Sequence, residues 1–189
     1  MSLTHSPTSW GSVTIALHWL IVVLVLVMAL VGLTMDEMPN SPTKVRVYAL
    51  HKSTGLTILA LMLLRLGWRL YAGRPEHVPT MPTWQVRAAE ATHWLLYALL
   101  LAMPISGWIY HSASNFPLRW YGLFRVPDLT GPDPQVKALA HDAHEWIFIA
   151  ICIVVLAHAG AALWHHFRAG DATLVRMLPR FARPPEPRA

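Results

Sequence analysis

Four histidines, His18, His51, His144 and His158, stand in stretches of sequence that are otherwise almost wholly apolar. An ionisable ring is expensive to keep in hydrocarbon, so it marks a functional position there. Neutral imidazole carries a lone pair on one nitrogen and a donor on the other. Its chemistry is therefore metal ligation, proton transfer or hydrogen bonding to something buried. His144 and His158 are 14 residues apart, close to whole turns of an α-helix and about 21 Å along its axis. They share one helix face at two well-separated levels.

The elements that must position these rings are four hydrophobic helices. Residues 14–33, 49–71, 92–113 and 143–167 each supply roughly the 20 positions needed to cross a hydrocarbon layer of about 30 Å. The third has no charged residue, and the fourth has none from Trp146 onward. Pro-broken 36–43 is a turn, and 73–83 is too polar to span. Residues 114–142 form the longest connection, in which 118–124 is expected to lie flat on the membrane surface. The expected fold is all-α: a single domain over 1–189, an integral membrane four-helix bundle of up-down topology with a frayed tail, 168–189. No basic segment precedes the first apolar run, because residues 1–43 hold no Lys or Arg. That run is therefore expected to be kept as a span rather than cleaved as a signal.

Lys and Arg near helix ends set orientation. Arg65, Arg69, Arg74, Arg87, Arg168, Arg176, Arg180, Arg183 and Arg188 fall on one side; Lys44, Arg46, Lys52, Arg119, Arg125 and Lys137 fall on the other. The excess favours both termini in the cytoplasm. His18 and His158 then lie toward the cytoplasm, and His51 and His144 toward the outside. Two imidazole pairs result, His18 with His158 and His51 with His144, each from facing helices at matched depth. Six-coordinate haem iron needs an imidazole on each face, and a helix bundle can supply both. The small residues Ala157, Ala159, Gly160, Ala161 and Ala162 beside His158, and Gly55 one turn after His51, leave room for a flat macrocycle, although small residues also serve close helix packing.

Arg65, 14 residues after His51, reaches the inner level, where it either holds a haem propionate or snorkels to the headgroups. Lys52 is the weaker candidate for the outer haem. His165, two turns past His158, is placed to hydrogen-bond a quinone headgroup. His93 and His111, 18 residues apart and close to whole turns, bracket the third span; they read either as interfacial packing, as does His141, or as a rival ligand pair at the edges of the bilayer. His5, His77 and His166 read as facing solvent or headgroups.

Composition agrees. Hydrophobic residues make up 54% and charged residues 13%, against about 25% charged in soluble domains. The single Cys152 excludes an intramolecular disulfide, cysteine-ligated clusters and a C-x-x-C-H haem attachment. The net charge of +5 sits at span ends and in the tail, which suits phospholipid rather than nucleic acid. Walker, zincin, nucleophile-elbow and dinucleotide motifs are absent. Two other readings stay open: a haem-bearing anchor subunit that relays electrons for a dehydrogenase or hydrogenase, and a transporter with a histidine-lined ion path.

The ordered set Leu17-His18-Trp19-Leu20, His51-Lys52-Ser53-Thr54-Gly55, His144-Glu145, Leu156 to Leu163, His165-His166-Phe167 and Asp171 to Arg180 resembles the bacterial cytochrome b561 family, from about Trp10 to Arg180. The resemblance implies a multi-pass protein of the bacterial inner membrane with two b-type haems, ligated by the four histidines paired above. It also implies electron exchange with the ubiquinone pool. For some members it implies oxidation of superoxide at the outer face, where Arg119, Arg125 and Lys137 could steer a small anion.

Overall fold

The computed structural model describes residues 4, 6, 9–76, 81–179 and 182. His5, His77, Arg180, Arg183 and Arg188 lie outside the described residues. Four helices, α1 (Ser12–Met35), α2 (Pro42–Ala72), α3 (Thr83–Ala113) and α4 (Pro134–Trp164), dominate the described chain. All four are long and apolar enough to cross a membrane.

Each of the last three helices begins well before its apolar segment, for a local reason. At α2, Pro42 occupies the first turn and the Ser41 hydroxyl accepts from the Lys44 N–H at 3.2 Å. At α4, Pro134 follows Asp133, whose carboxylate accepts from the Gln135 and Val136 N–H groups at 2.8 and 3.1 Å. Capping of this kind satisfies backbone donors that the helix itself leaves free. At α3, the Pro82 carbonyl accepts from the Gln85 and Val86 N–H groups. Hydropathy registers only the lipid-crossing part, so the capped polar turns escape it.

The helices pack in chain order, α1 on α2, α2 on α3 and α3 on α4. Ile21, Ile58, Met62 and Tyr97 form a buried core between α1, α2 and α3, flanked by Leu24, Met28, Leu61 and Leu100. Leu26, Leu30, Leu64 and Leu156 point outward and are exposed, which suits a lipid-facing surface. α4 has no comparable packing against α1 or α2. Its inward face looks across a gap.

The 118–124 segment does not lie as a flat strip. Strands β1 (Arg119–Trp120) and β2 (Phe124–Arg125) form an antiparallel hairpin, turned through Tyr121 and Gly122 at φ 46° and 77°. The hairpin is clamped onto α2. The Tyr121 N–H donates to the Ser53 hydroxyl at 2.9 Å, and the Trp120 indole donates to the Thr57 hydroxyl at 3.2 Å. Leu118 is buried beneath it, while Leu123 and Phe124 remain exposed. Backbone groups that a flat strip would leave to water are met here by α2 hydroxyls.

Past Trp164 the chain makes one π-helical turn, His165–Ala169, and reverses at Gly170 (φ 68°). A short 3-10 turn, Val175–Met177, then straps the inner end of the bundle. The Trp19 indole donates to the Met177 carbonyl at 2.7 Å, and the Arg176 guanidinium donates to the Glu76 carbonyl at 2.9 Å.

Candidate functional site

The gap beside α4 is bordered by the four histidines singled out in the sequence. The His18 (α1) and His158 (α4) ring centroids are 6.4 Å apart. Those of His51 (α2) and His144 (α4) are 6.5 Å apart. Two metal–imidazole bonds of about 2 Å each, with a ring radius at both ends, come to about 6 Å. Both separations match one metal ion held between two rings.

Hydrogen bonding selects the nitrogen that each ring offers. The Ser106 hydroxyl donates to the Met103 carbonyl at 2.8 Å, so its oxygen accepts from His144 Nδ1–H at 3.0 Å. That fixes the tautomer and leaves the Nε2 lone pair for a ligand bond. In His18 and His51, Nδ1 is buried without a protein partner, so each ring has a nitrogen that only a bound group could satisfy. Gly107 makes room for the His144 ring, since a Cβ there would lie 3.1 Å from its Cε1.

The small residues face space rather than a neighbouring helix. A Cβ on Gly160 would meet nothing within 4 Å, and one on Gly55 only the Met28 methyl at 4.0 Å. Close helix packing would have filled both positions. Paired imidazoles at this spacing suit an iron porphyrin, which the four histidines would hold and which would supply one-electron chemistry.

Arg65 reaches the inner level, where its charge acts on both His18 and His158. Its guanidinium lies over the Tyr97 ring at 5.7 Å, and its Nε is buried without a partner. A snorkelled arginine would place that nitrogen in water or headgroups. Lys52, half-buried beside His51, has no ion pair among the described residues. At the inner end His165 Nδ1 bonds Asp171 at 2.5 Å, with both side chains almost enclosed. Burial on its own would raise the Asp171 carboxyl. Hydrogen bonds from Thr173 and His165 outweigh it and hold the carboxyl below its usual range.

Several functional residues escaped the sequence reading. The His93 ring sits 5.3 Å from that of His158, edge-on. That distance falls short of a metal-spanning pair, so His93 is a neighbour of the inner site rather than a rival ligand by geometry. Because α3 starts at Thr83, His93 is ten residues inside the helix instead of at its end. Arg69 stacks on Trp94 and Tyr97 at 5.3 and 5.7 Å, adding a second cation to this level. His111 is buried, not interfacial. His141 remains half-exposed beside Asp142 and Glu145. Of the outer basic residues, Arg125 is paired with Asp128 at 2.7 Å and Arg119 donates to the Gly122 carbonyl at 3.1 Å. Lys137 lies over the Tyr110 ring.

Four membrane-crossing helices around paired imidazoles define a membrane-embedded electron-transfer protein of the cytochrome class. The chain belongs to the prokaryotic cytochrome b561 family, whose profile matches residues 9–180. It is 32% identical over 179 residues to cytochrome b561 homolog 2 of Escherichia coli (strain K12), covering 94% of this chain and 95% of that one. It is 30% identical over 182 residues to cytochrome b562 of Cereibacter sphaeroides, covering 93% and 98%. It is 28% identical over 173 residues to the probable superoxide oxidase CybB of Yersinia pestis, covering 90% and 96%. Membership makes it a multi-pass membrane oxidoreductase that uses b-type haem, and an ion path no longer competes as a reading.

Proposed function

We propose that this chain is a di-haem b-type cytochrome that passes electrons across the bacterial inner membrane, between a donor at its outer face and the ubiquinone pool. One haem is held by His51 and His144 and the other by His18 and His158. The observation that carries this reading is the near-equal spacing of the two ring pairs, 6.4 and 6.5 Å, each the span of one metal ion between two imidazoles. Bound there, haem supplies reversible one-electron chemistry at two depths.

The chain's own residues do the rest. Ser106 orients His144, Gly107 leaves the His144 ring its space, and the Ile21–Met62–Tyr97 core packs α1, α2 and α3 together. Low dielectric around the ligands and their outer hydrogen bonds tune potential. Arg65 binds an inner propionate through its unpartnered Nε, and Lys52 serves the outer haem. With Nδ1–H of His165 donated to Asp171, its Nε2 lone pair is left to accept from the hydroxyl of a quinol headgroup. Both termini are cytoplasmic, as the Arg-rich side requires.

Superoxide is the proposed outer donor, supported by the relative whose name carries that activity. Since Arg119 and Arg125 are engaged locally, steering falls to the summed field of the outer loop rather than to a free arginine pair. Proteoliposomes holding the purified protein and ubiquinone test the reading. Superoxide generated outside should reduce the haems and accumulate ubiquinol, and His144→Ala should abolish both. Ubiquinol formation that is unchanged in His144→Ala would reject it.

A further inference from the structure

The chain that leaves α3 turns back along the bundle before it reaches α4. One level of the molecule is fixed by contacts between helices. A Cβ on Gly32 of α1 would lie 3.5 Å from His51 Cε1, the His51 and His144 ring centroids are 6.5 Å apart, and Ser106 of α3 bonds His144 at 3.0 Å. From that level α3 runs seven more residues to Ala113, about 10 Å farther out.

The hairpin that follows is bonded to α2 on the inward side of the same level. Ser53, whose hydroxyl accepts from the Tyr121 N–H at 2.9 Å, is two residues deeper than His51. Thr57, which accepts from the Trp120 indole at 3.2 Å, is six residues deeper, or about 9 Å. The chain then climbs along α3. The Trp108 indole donates to the Pro127 carbonyl at 2.9 Å, the Leu129 N–H to the Ser112 hydroxyl at 3.1 Å, and the Asp133 N–H to the Ala113 carbonyl at 3.2 Å. A descent to Thr57 and a return to Ala113 is the path of a re-entrant loop.

Non-helical backbone is tolerated at membrane depth where protein meets its polar groups. Here the Leu118 carbonyl accepts from the Val126 N–H at 2.8 Å and the Trp120 carbonyl from the Leu123 N–H at 2.9 Å. The Gly122 carbonyl accepts from the Arg119 guanidinium at 3.1 Å. The apolar side chains of the tip are left uncovered: Leu123 is 71% exposed and Phe124 55%. Beside the level-setting residues, Leu33 of α1 and Leu50 of α2 are 65% and 55% exposed. The tip therefore continues, at the same height, the band of apolar surface that the spans turn to lipid. Arg119 and Arg125 face each other across the hairpin, and their long stems bring charge within reach of headgroup phosphates.

We propose that β1–β2 is a re-entrant hairpin that seats Leu123 and Phe124 among the acyl chains of the leaflet on its own side. Water at the tip and a second copy of the chain covering it are the two other arrangements, and the test separates all three.

Holoprotein in a Cys152→Ala background is reconstituted in phosphatidylcholine vesicles, with a nitrobenzoxadiazole fluorophore attached at Leu123→Cys. Gln135→Cys is the aqueous control, because Gln135 is exposed and lies nine residues before His144 on α4, about 13 Å outside the ring-pair level. Each labelled protein is first checked for wild-type haem per chain. Quenching by phosphatidylcholine carrying a nitroxide high on its acyl chain is then compared with quenching by iodide present on both sides of the membrane. The ratio of lipid to iodide quenching should be several-fold higher at position 123 than at 135, and Phe124→Cys should match position 123. Iodide quenching as strong at 123 as at 135 puts the tip in water and overturns the inference. Weak quenching by both reagents at 123 means that protein covers the tip, as a second copy would, and overturns it as well. Phe124→Cys decides alone should Leu123→Cys lose haem.

Discussion

His144 owes its orientation to one hydroxyl and to one absent side chain. Ser106 accepts from Nδ1–H, and Gly107 leaves the ring its space. An acceptor on Nδ1–H makes the ligand more electron-rich and favours ferric iron, so its loss raises the potential. Ser106→Ala should raise the outer midpoint by on the order of 30 mV, about half the 59 mV of a tenfold change, with the inner midpoint unmoved in an optical redox titration. Partial compensation by the Met103 carbonyl, which also lies against the ring, keeps the effect modest. Gly107→Val places carbon where the His144 ring now sits. It should cut outer haem occupancy by half or more while sparing the inner haem, as read from pyridine haemochrome counts. His93 makes the converse point: burial and a neighbouring ligand do not create a ligand when the spacing is 5.3 Å.

At the scale of elements, the strap at Val175–Met177 is held by the His165–Asp171 hydrogen bond and the Trp19 indole. Asp171 has its carboxyl held below the usual range, so its contribution is present above the unfolded carboxylate value and is lost as pH falls through the lower folded one. The strap should stay protected in amide hydrogen exchange from neutral pH to about pH 4, and open below that. Asp171→Asn should leave residues 171–177 fast-exchanging throughout, with the four spans unaffected. The spans themselves were legible because hydrocarbon imposes a length and forbids charge. Their true starts were not, because Pro42, Thr83 and Pro134 open polar, capped turns that hydropathy reads as loop. The hairpin was illegible too, since its hold on α2 comes through Ser53, Thr54 and Thr57, hydroxyls of a remote segment. By contrast, His18, His51, His144 and His158 were found from sequence because helical spacing and alternating chain direction together determine depth.

For the whole molecule, the consequence of four antiparallel helices is that two metal-spanning ring pairs stack along one bundle. α4 supplies a ring to each and, among the described residues, packs chiefly on α3. Lipid offers no hydrophobic drive to bring bare helices together, so haem bound between the ring pairs would add contacts that tie α4 to α1 and α2. A bound group that favours the folded bundle stabilises it by mass action, which ties the integrity of the bundle to its cofactors. The direct measurement is a reduced-minus-oxidised spectrum with haem counted per chain, on the wild type and two variants purified with ample haem supplied. Two low-spin b-type haems in the wild type, one in His158→Ala and two in His93→Ala are the predicted results. A single haem in the wild type, or a haem lost from His93→Ala while His158→Ala keeps both, would contradict the ligand scheme.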